Sequence, residues 1–142
     1  PYPIEFIDQG DQIVLRIEEW NAVRTIHMNN AAMDDGLSTI YGHSKGRWEG
    51  DTLIIETSGV DYPYYNDAGT PMTKGMKITE RYSISADQRR MNWTATIVDP
   101  KIFTKPVSFG GWMAWAPDIV IQEFGCKVEQ SVSIQQLEST SR

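Results

Sequence analysis

The chain has 142 residues, of which 40% are hydrophobic, and it carries a formal charge of -6. That length suits one globular domain with a single substantial core and is short for two. Because nucleic-acid affinity depends on clustered Lys and Arg, the acidic balance argues against a nucleic-acid-binding surface.

The sequence carries no signal for a membrane span. No apolar run approaches the roughly 20 residues of a transmembrane helix, and the start of the chain lacks the basic, apolar and cleavage regions of a signal peptide. We therefore expect a soluble protein, with a periplasmic or secreted location left open in case an upstream signal peptide has been removed.

Cys126 is the one cysteine, so we expect no internal disulfide, and its neighbourhood is not typical of a zinc site.

From its first residues onward the chain alternates apolar and polar side chains in short runs. Alternation with a period of two is typical of half-buried β-strands, and the stretches QGD, EGD and SADQ supply the Gly, Asp and Ser of tight turns. The predicted strands are, in chain order, PIEFID, QIVLRIEEW, AVRTIHM, TIYGHSKGRWE, TLIIETSG, MKITERYSIS, RRMNWTATIV, KPVSFGGWMAWA and DIVIQEFGCKVE.

These runs predict an all-β fold in one domain, residues 1–129, followed by a polar tail, residues 130–142. Consecutive antiparallel strands must bury one face and protect their edges, and closing the sheet on itself does both. We therefore expect an antiparallel up-and-down β-barrel of lipocalin or calycin type, with a two-sheet β-sandwich as the alternative. Two long loops, NNAAMDDGLS and VDYPYYNDAGTPMTKG, interrupt the strands.

Several stretches carry a resemblance to a known group of proteins; they are PYPIEFI, VRTIHM, GHSKGRWEGDTLIIET, ITERY, DPKIFTKP and EFGCKVE. Together they resemble a family of bacterial proteins, many of them exported and mostly uncharacterised, whose members usually have an upstream signal peptide and another cysteine. The two long loops differ from the family's Pro- and His-containing stretches. Because loops commonly set ligand choice, the resemblance implies kinship and no substrate. GRW before a strand is also similar to the lipocalin Gly-x-Trp signature, although Trp48 closing one barrel end or packing in the core is the simpler interpretation.

Glu80 is the main functional lead in the sequence. In MKITERYSI it shares its parity with Met76, Ile78, Tyr82 and Ile84, so a strand would point Glu80 towards the interior. A buried carboxylate needs a partner or takes a shifted pKa. It is therefore interpreted either as a catalytic acid or base or as one half of a structural pair with Arg24 or Tyr41.

His27 and His43 are the chain's two histidines, and histidine is the side chain whose ordinary pKa lies nearest neutrality. An inward Glu with a His partner suits general acid–base catalysis, and a nearby Arg or Tyr could hold a developing oxyanion. The predicted catalytic residues are Glu80, His43 and His27, and the predicted substrate-binding residues are Arg24, Tyr41, Tyr82, Trp93, Asp99, Trp112 and Glu123.

These features predict a cofactor-independent isomerase, cyclase or lyase that acts on a hydrophobic or aromatic small molecule in the barrel cavity. The alternative is a carrier that binds an apolar ligand without transforming it, and a third hypothesis is a filled barrel that acts through its acidic outer face. We expect no cofactor and no metal, because the sequence lacks a phosphate-binding Gly-rich loop, HExxH and CxxC. A homodimer is left open, and neither nucleic acid nor membrane is an expected partner.

Overall fold

The computed structural model describes residues 2–28 and 38–125, which form one sheet of eight strands. The strands are β1 (Ile4–Asp8), β2 (Gln12–Ile17), β3 (Ala22–Met28), β4 (His43–Glu49), β5 (Thr52–Ser58), β6 (Lys77–Ile84), β7 (Arg90–Val98) and β8 (Val107–Ala114). A 3₁₀ turn, Glu19–Asn21, joins β2 to β3. The predicted all-β class is confirmed.

The strands lie in the sheet in chain order, and the sheet curls into a half-barrel. Neighbouring strands run antiparallel, as the sequence predicts, except at β3 and β4, which run parallel. A parallel pair needs a connection that returns the chain to the same end of the sheet, and residues 38–42 are the described part of that connection. In the described part of the chain β1 and β8 do not pair with each other, so they are the two edges of an open sheet.

The concave face of the sheet carries the core. Ile26 and Ile55 are fully buried there, and Phe6 of β1 packs edge-on against Tyr82 of β6 with 5.2 Å between ring centroids. Ile13, Leu15, Met28 and Leu53 complete the buried cluster. The sequence predicts a ligand cavity here, whereas these packed side chains occupy the centre of the concave face.

The convex face also buries one large apolar residue. Ile54 of β5 is 0% exposed and lies between Arg47 of β4 and Arg81 of β6 in the strand register. Both arginines form ion pairs with Glu49, and Arg47 also pairs with Glu56. Cross-strand neighbours on one face contact each other, so the aliphatic stems of the arginines cover Ile54 while their charged ends remain in water.

The last predicted strand, DIVIQEFGCKVE, is wrong over residues 118–125, which form no strand. Side chains in the turn between β2 and β3 accept hydrogen bonds from backbone N–H groups of this segment. In a strand, those N–H groups would donate to a neighbouring strand. The amide of Gln122 donates to Glu18 Oε2 at 2.9 Å, and the amide of Phe124 donates to Asn21 Oδ1 at 2.8 Å. Cys126, the tail from 130 to 142 and most of the loop NNAAMDDGLS lie outside the described residues.

Helical structure is scarce in this fold. Across residues 2–28 and 38–125, no helix has the length and apolar character needed to cross a membrane.

Candidate functional site

Glu80 lies on the concave face of β6, as the sequence predicts, and is 8% exposed. Both of its carboxylate oxygens are engaged. Oε2 pairs closely with Nη2 of Arg24 on β3, and Oε1 accepts a hydrogen bond of 2.8 Å from the Tyr82 hydroxyl. A second, longer contact of 3.4 Å joins Oε1 to Nη1 of Arg24. The buried carboxylate is therefore paired across the curled sheet with a cation 56 residues earlier in the chain.

The surroundings of Tyr82 keep its hydroxyl protonated. Burial, followed by the charge of Glu80 and the hydrogen bond to it, raises the pKa of Tyr82 well above its ordinary value, with Arg24 opposing the shift. The phenol therefore acts as a hydrogen-bond donor at neutral pH. Among the described residues, the buried Nε of Arg24 has no hydrogen-bond partner, so its N–H is an unused donor.

A cleft of about 190 Å³ lies beside this pair, where β3 and β4 meet. It brings together four residues that the sequence analysis selected, namely Arg24, His27, Tyr41 and His43, and Glu80 does not line it. Its other walls are Val23, Thr25, Thr39, Gly42 and Ser44. Most of these residues are polar, and the cleft is open to solvent on one side.

The cleft exists because the pairing of β3 with β4 covers only half of β3. The register joins Ile26, His27 and Met28 to β4 and leaves the first half of β3 without a partner on that side. The turn at residues 39–42 instead attaches to the end of β5, where the Asp61 amide donates to the Thr39 carbonyl at 2.7 Å. Gly42 has a φ of 67°, and a Cβ there would lie 2.5 Å from the Ser58 carbonyl oxygen, so the turn requires glycine.

The two histidines are diagonal neighbours across the parallel pair. His27 stands opposite Lys45, two positions beyond His43 on β4. Side chains two positions apart lie on the same face of a strand, so both imidazoles belong to the convex face while Arg24 and Ser44 belong to the concave one. The cleft therefore joins the two faces at a gap in the sheet.

The predicted substrate-binding residues other than Arg24 and Tyr41 do not line this cleft. Tyr82 lies in the core, and Trp93 packs at its margin with its ring 5.8 Å from that of Phe109. Trp112 lies on the convex face of β8 with Arg90 stacked 4.3 Å over its ring. Glu123 lines a different cleft, of about 270 Å³, beside the 3₁₀ turn.

Asp99, predicted as a substrate-binding residue, is 1% exposed and fastens the second long loop to the end of β7. Its carboxylate accepts hydrogen bonds from the Tyr65 hydroxyl at 3.0 Å, the Thr73 amide at 3.0 Å and the Thr73 hydroxyl at 2.8 Å. Burial alone would raise the pKa of Asp99, but these hydrogen bonds outweigh it and the pKa is lowered. Burial, followed by the hydrogen bond to Asp99 and its charge, raises the pKa of Tyr65.

We expect Asp99→Asn to lower the melting temperature at neutral pH, because the neutral amide accepts weaker hydrogen bonds than the carboxylate. A folded-state pKa below the unfolded value means that the stabilisation is complete above the unfolded pKa, near 3.9 in general for Asp, and is lost as pH falls through the folded pKa. The difference in melting temperature between parent and variant should therefore shrink in acid. Asp61→Asn, an exposed change in the same loop, serves as the control, and a difference that is constant with pH would contradict the assignment.

The fold and the cleft define a class: an all-β protein with one curled eight-stranded sheet and a polar cleft at its parallel strand junction. Comparison with protein-family models, with curated proteins and with solved structures finds no match for the chain. The side chains of the cleft are therefore the basis for assigning a function.

Sequence reasoning missed Thr25, Thr39 and Ser44 as walls of the cleft. Ser44 is 1% exposed and shares a hydrogen bond of 2.9 Å with the Thr57 hydroxyl. Threonine and serine at alternating strand positions resemble ordinary surface residues in a sequence. The offset of the two parallel strands, which pair through only three residues each and so open the gap, has no local sequence signature.

Proposed function

We propose that the protein binds a small molecule in the cleft between β3 and β4 and transfers a proton on it without a cofactor. This chemistry belongs to the isomerase, cyclase or lyase class. The observation that carries the proposal is that both histidines of the chain line one cleft together with Arg24 and Tyr41. Imidazoles serve as acid and base near neutral pH, and an arginine or a phenol stabilises a developing oxyanion.

The size of the cleft indicates the part of a substrate that its walls can contact. An engineered cavity of about 150 Å³ in another protein accommodates benzene, so about 190 Å³ corresponds to one ring with small substituents. Drug-sized ligands occupy larger pockets of roughly 300–1,000 Å³. The polar walls favour a ring that carries a carbonyl, carboxylate or hydroxyl group, which can use the threonine and serine hydroxyls.

In this proposal Glu80 is a positioning residue for Arg24. The carboxylate holds the guanidinium from the concave side, and Tyr82 holds the carboxylate in turn. The guanidinium of Arg24 is then held in one orientation at the cleft. A donor fixed in advance in this way is what stabilisation of an oxyanion requires. The proposal differs from direct catalysis by Glu80 because both carboxylate oxygens are already engaged.

The test uses small cyclic ketones as probes in deuterated water, where an acid–base site exchanges the protons next to the carbonyl. We expect the parent protein to accelerate the exchange and His27→Gln and His43→Gln each to slow it about 100-fold or more, the usual contribution of a general acid or base. Lys45→Gln is the matched control, because Lys45 lies opposite His27 on the same face and does not line the cleft.

Chemical shifts of the His27 and His43 rings on addition of each ketone report binding separately from exchange. Binding without exchange would assign the cleft to a carrier, the second class that the sequence left open. If a broad set of one-ring ketones, acids and alcohols neither shifts the rings nor exchanges protons, the proposal fails.

A further inference from the structure

Among the described residues, strand β8 is an edge of the sheet without the usual protection. It spans VSFGGWMA, which contains neither a charged residue nor a proline. Seven of its eight residues are exposed, including Phe109 at 51% and Trp112 at 57%. An exposed edge strand presents unpaired backbone N–H and C=O groups, and proteins ordinarily guard it with charges, prolines or a short length.

The opposite edge shows these protections. β1 has five residues and carries Glu5 and Asp8, with Glu5 paired to Arg16 at 2.9 Å. Its apolar residues Ile4 and Phe6 are half-buried against the core. The two edges of one sheet therefore differ, and within the described residues β8 is hydrogen-bonded only to β7.

We propose that β8 is a self-association edge, at which two copies of this chain pair their β8 strands antiparallel about a two-fold axis. An antiparallel two-fold contact is isologous, so one strand supplies both halves of the interface. The chain carries a charge of -6, and copies repel each other over most of their surface. Because β8 carries no charged residue, two β8 strands can pair without placing like charges opposite each other.

The ends of the strand favour a second copy in the antiparallel direction. Lys105 precedes β8, and Trp115, 73% exposed, follows it. A two-fold axis through Gly110 brings the end of β8 that follows Lys105 in one copy to the end that precedes Trp115 in the other, and a cation and an indole ring attract each other. The same register sets Phe109 opposite Gly111, and an aromatic ring across from an edge glycine is a known stabilising pair.

The small size of this contact is typical of weak association. Eight residues of strand span about 26 Å, so the interface lies at the small end of specific contacts, where association is weak and concentration-dependent. We therefore expect a monomer–dimer equilibrium rather than a permanent dimer.

Sedimentation velocity over a wide range of protein concentration tests the proposal. The parent should shift from monomer to dimer as concentration rises, and Phe109→Lys should weaken association roughly tenfold or more by placing a charge on the edge. Ile84→Lys is the matched control: Ile84 is 58% exposed, on the same face but on β6, away from both edges. A parent that stays monomeric, or a dimer that Phe109→Lys and Ile84→Lys weaken equally, overturns the proposal.

Hydrogen exchange of the parent keeps the proposal falsifiable if Phe109→Lys does not fold. Protection of the β8 amides should increase with protein concentration while that of the β1 amides stays constant. Protection of β8 that is high and independent of concentration would mean that the same chain covers this edge, and the proposal would be wrong.

Discussion

Glu80→Gln is expected to lower the free energy of unfolding by about 3–5 kcal/mol, the usual cost of removing one partner of a buried ion pair. The side chains of Arg24 and Glu80 are only 18% and 11% exposed. The substitution therefore leaves the guanidinium with no counter-charge and little water. Chemical denaturation at neutral pH, with the parent and the variant measured side by side, gives the difference.

The same substitution at Glu56 is the control for this measurement. Glu56 pairs with Arg47 on the convex face, where the two side chains are 55% and 46% exposed. Water screens such a pair and solvates the remaining charge, so Glu56→Gln should change stability far less. Equal losses in the two variants would show that the Arg24–Glu80 pair is hydrated in solution.

A double replacement separates the cost of the orphaned charge from the value of the pair. Arg24→Met with Glu80→Leu removes both charges and keeps similar volumes, and such exchanges are often neutral or stabilising in other proteins. We expect the double variant to recover most of the stability lost in Glu80→Gln. Recovery should be incomplete, since the Tyr82 hydroxyl then loses its acceptor. A double variant less stable than Glu80→Gln would contradict this account.

The second large effect is expected at Ile55, with its neighbour Ile54 as a comparison. Both side chains are 0% exposed, but Ile55 is enclosed by the core and Ile54 by arginine stems on the convex face. Replacing isoleucine by alanine costs about 2–5 kcal/mol, and the cost depends on how far the surroundings can collapse. We expect Ile55→Ala near the upper limit and Ile54→Ala near the lower, because flexible stems can fill the space.

Equilibrium denaturation of the two variants checks this ranking. Val23→Ala, at an exposed position of β3, should change stability little. A larger loss for Ile54→Ala than for Ile55→Ala would mean that the convex face, rather than the concave one, carries the tighter packing.

Alternation along the strands was enough to predict the all-β class and the inward direction of Glu80 and the residues that share its parity. Glu80 and Tyr82 lie on the concave face as expected, and Leu53 and Ile55 point inward while Glu56 points outward. The face on which a side chain lies is a local property, because successive side chains of a strand alternate between two faces. The predicted strand TIYGHSKGRWE, by contrast, begins four residues too early, at Thr39 instead of His43, and so includes the turn at Gly42.

Only the tertiary structure decided how the strands associate and what surrounds Glu80. The sequence left Glu80 either as a catalytic group or as one half of a structural pair, and the curl of the sheet brings it to Arg24 three strands away. The parallel junction of β3 and β4 likewise gathers both histidines at one cleft. Pairing direction and curvature depend on contacts between distant segments, whereas the alternation of side chains depends on the backbone of one strand.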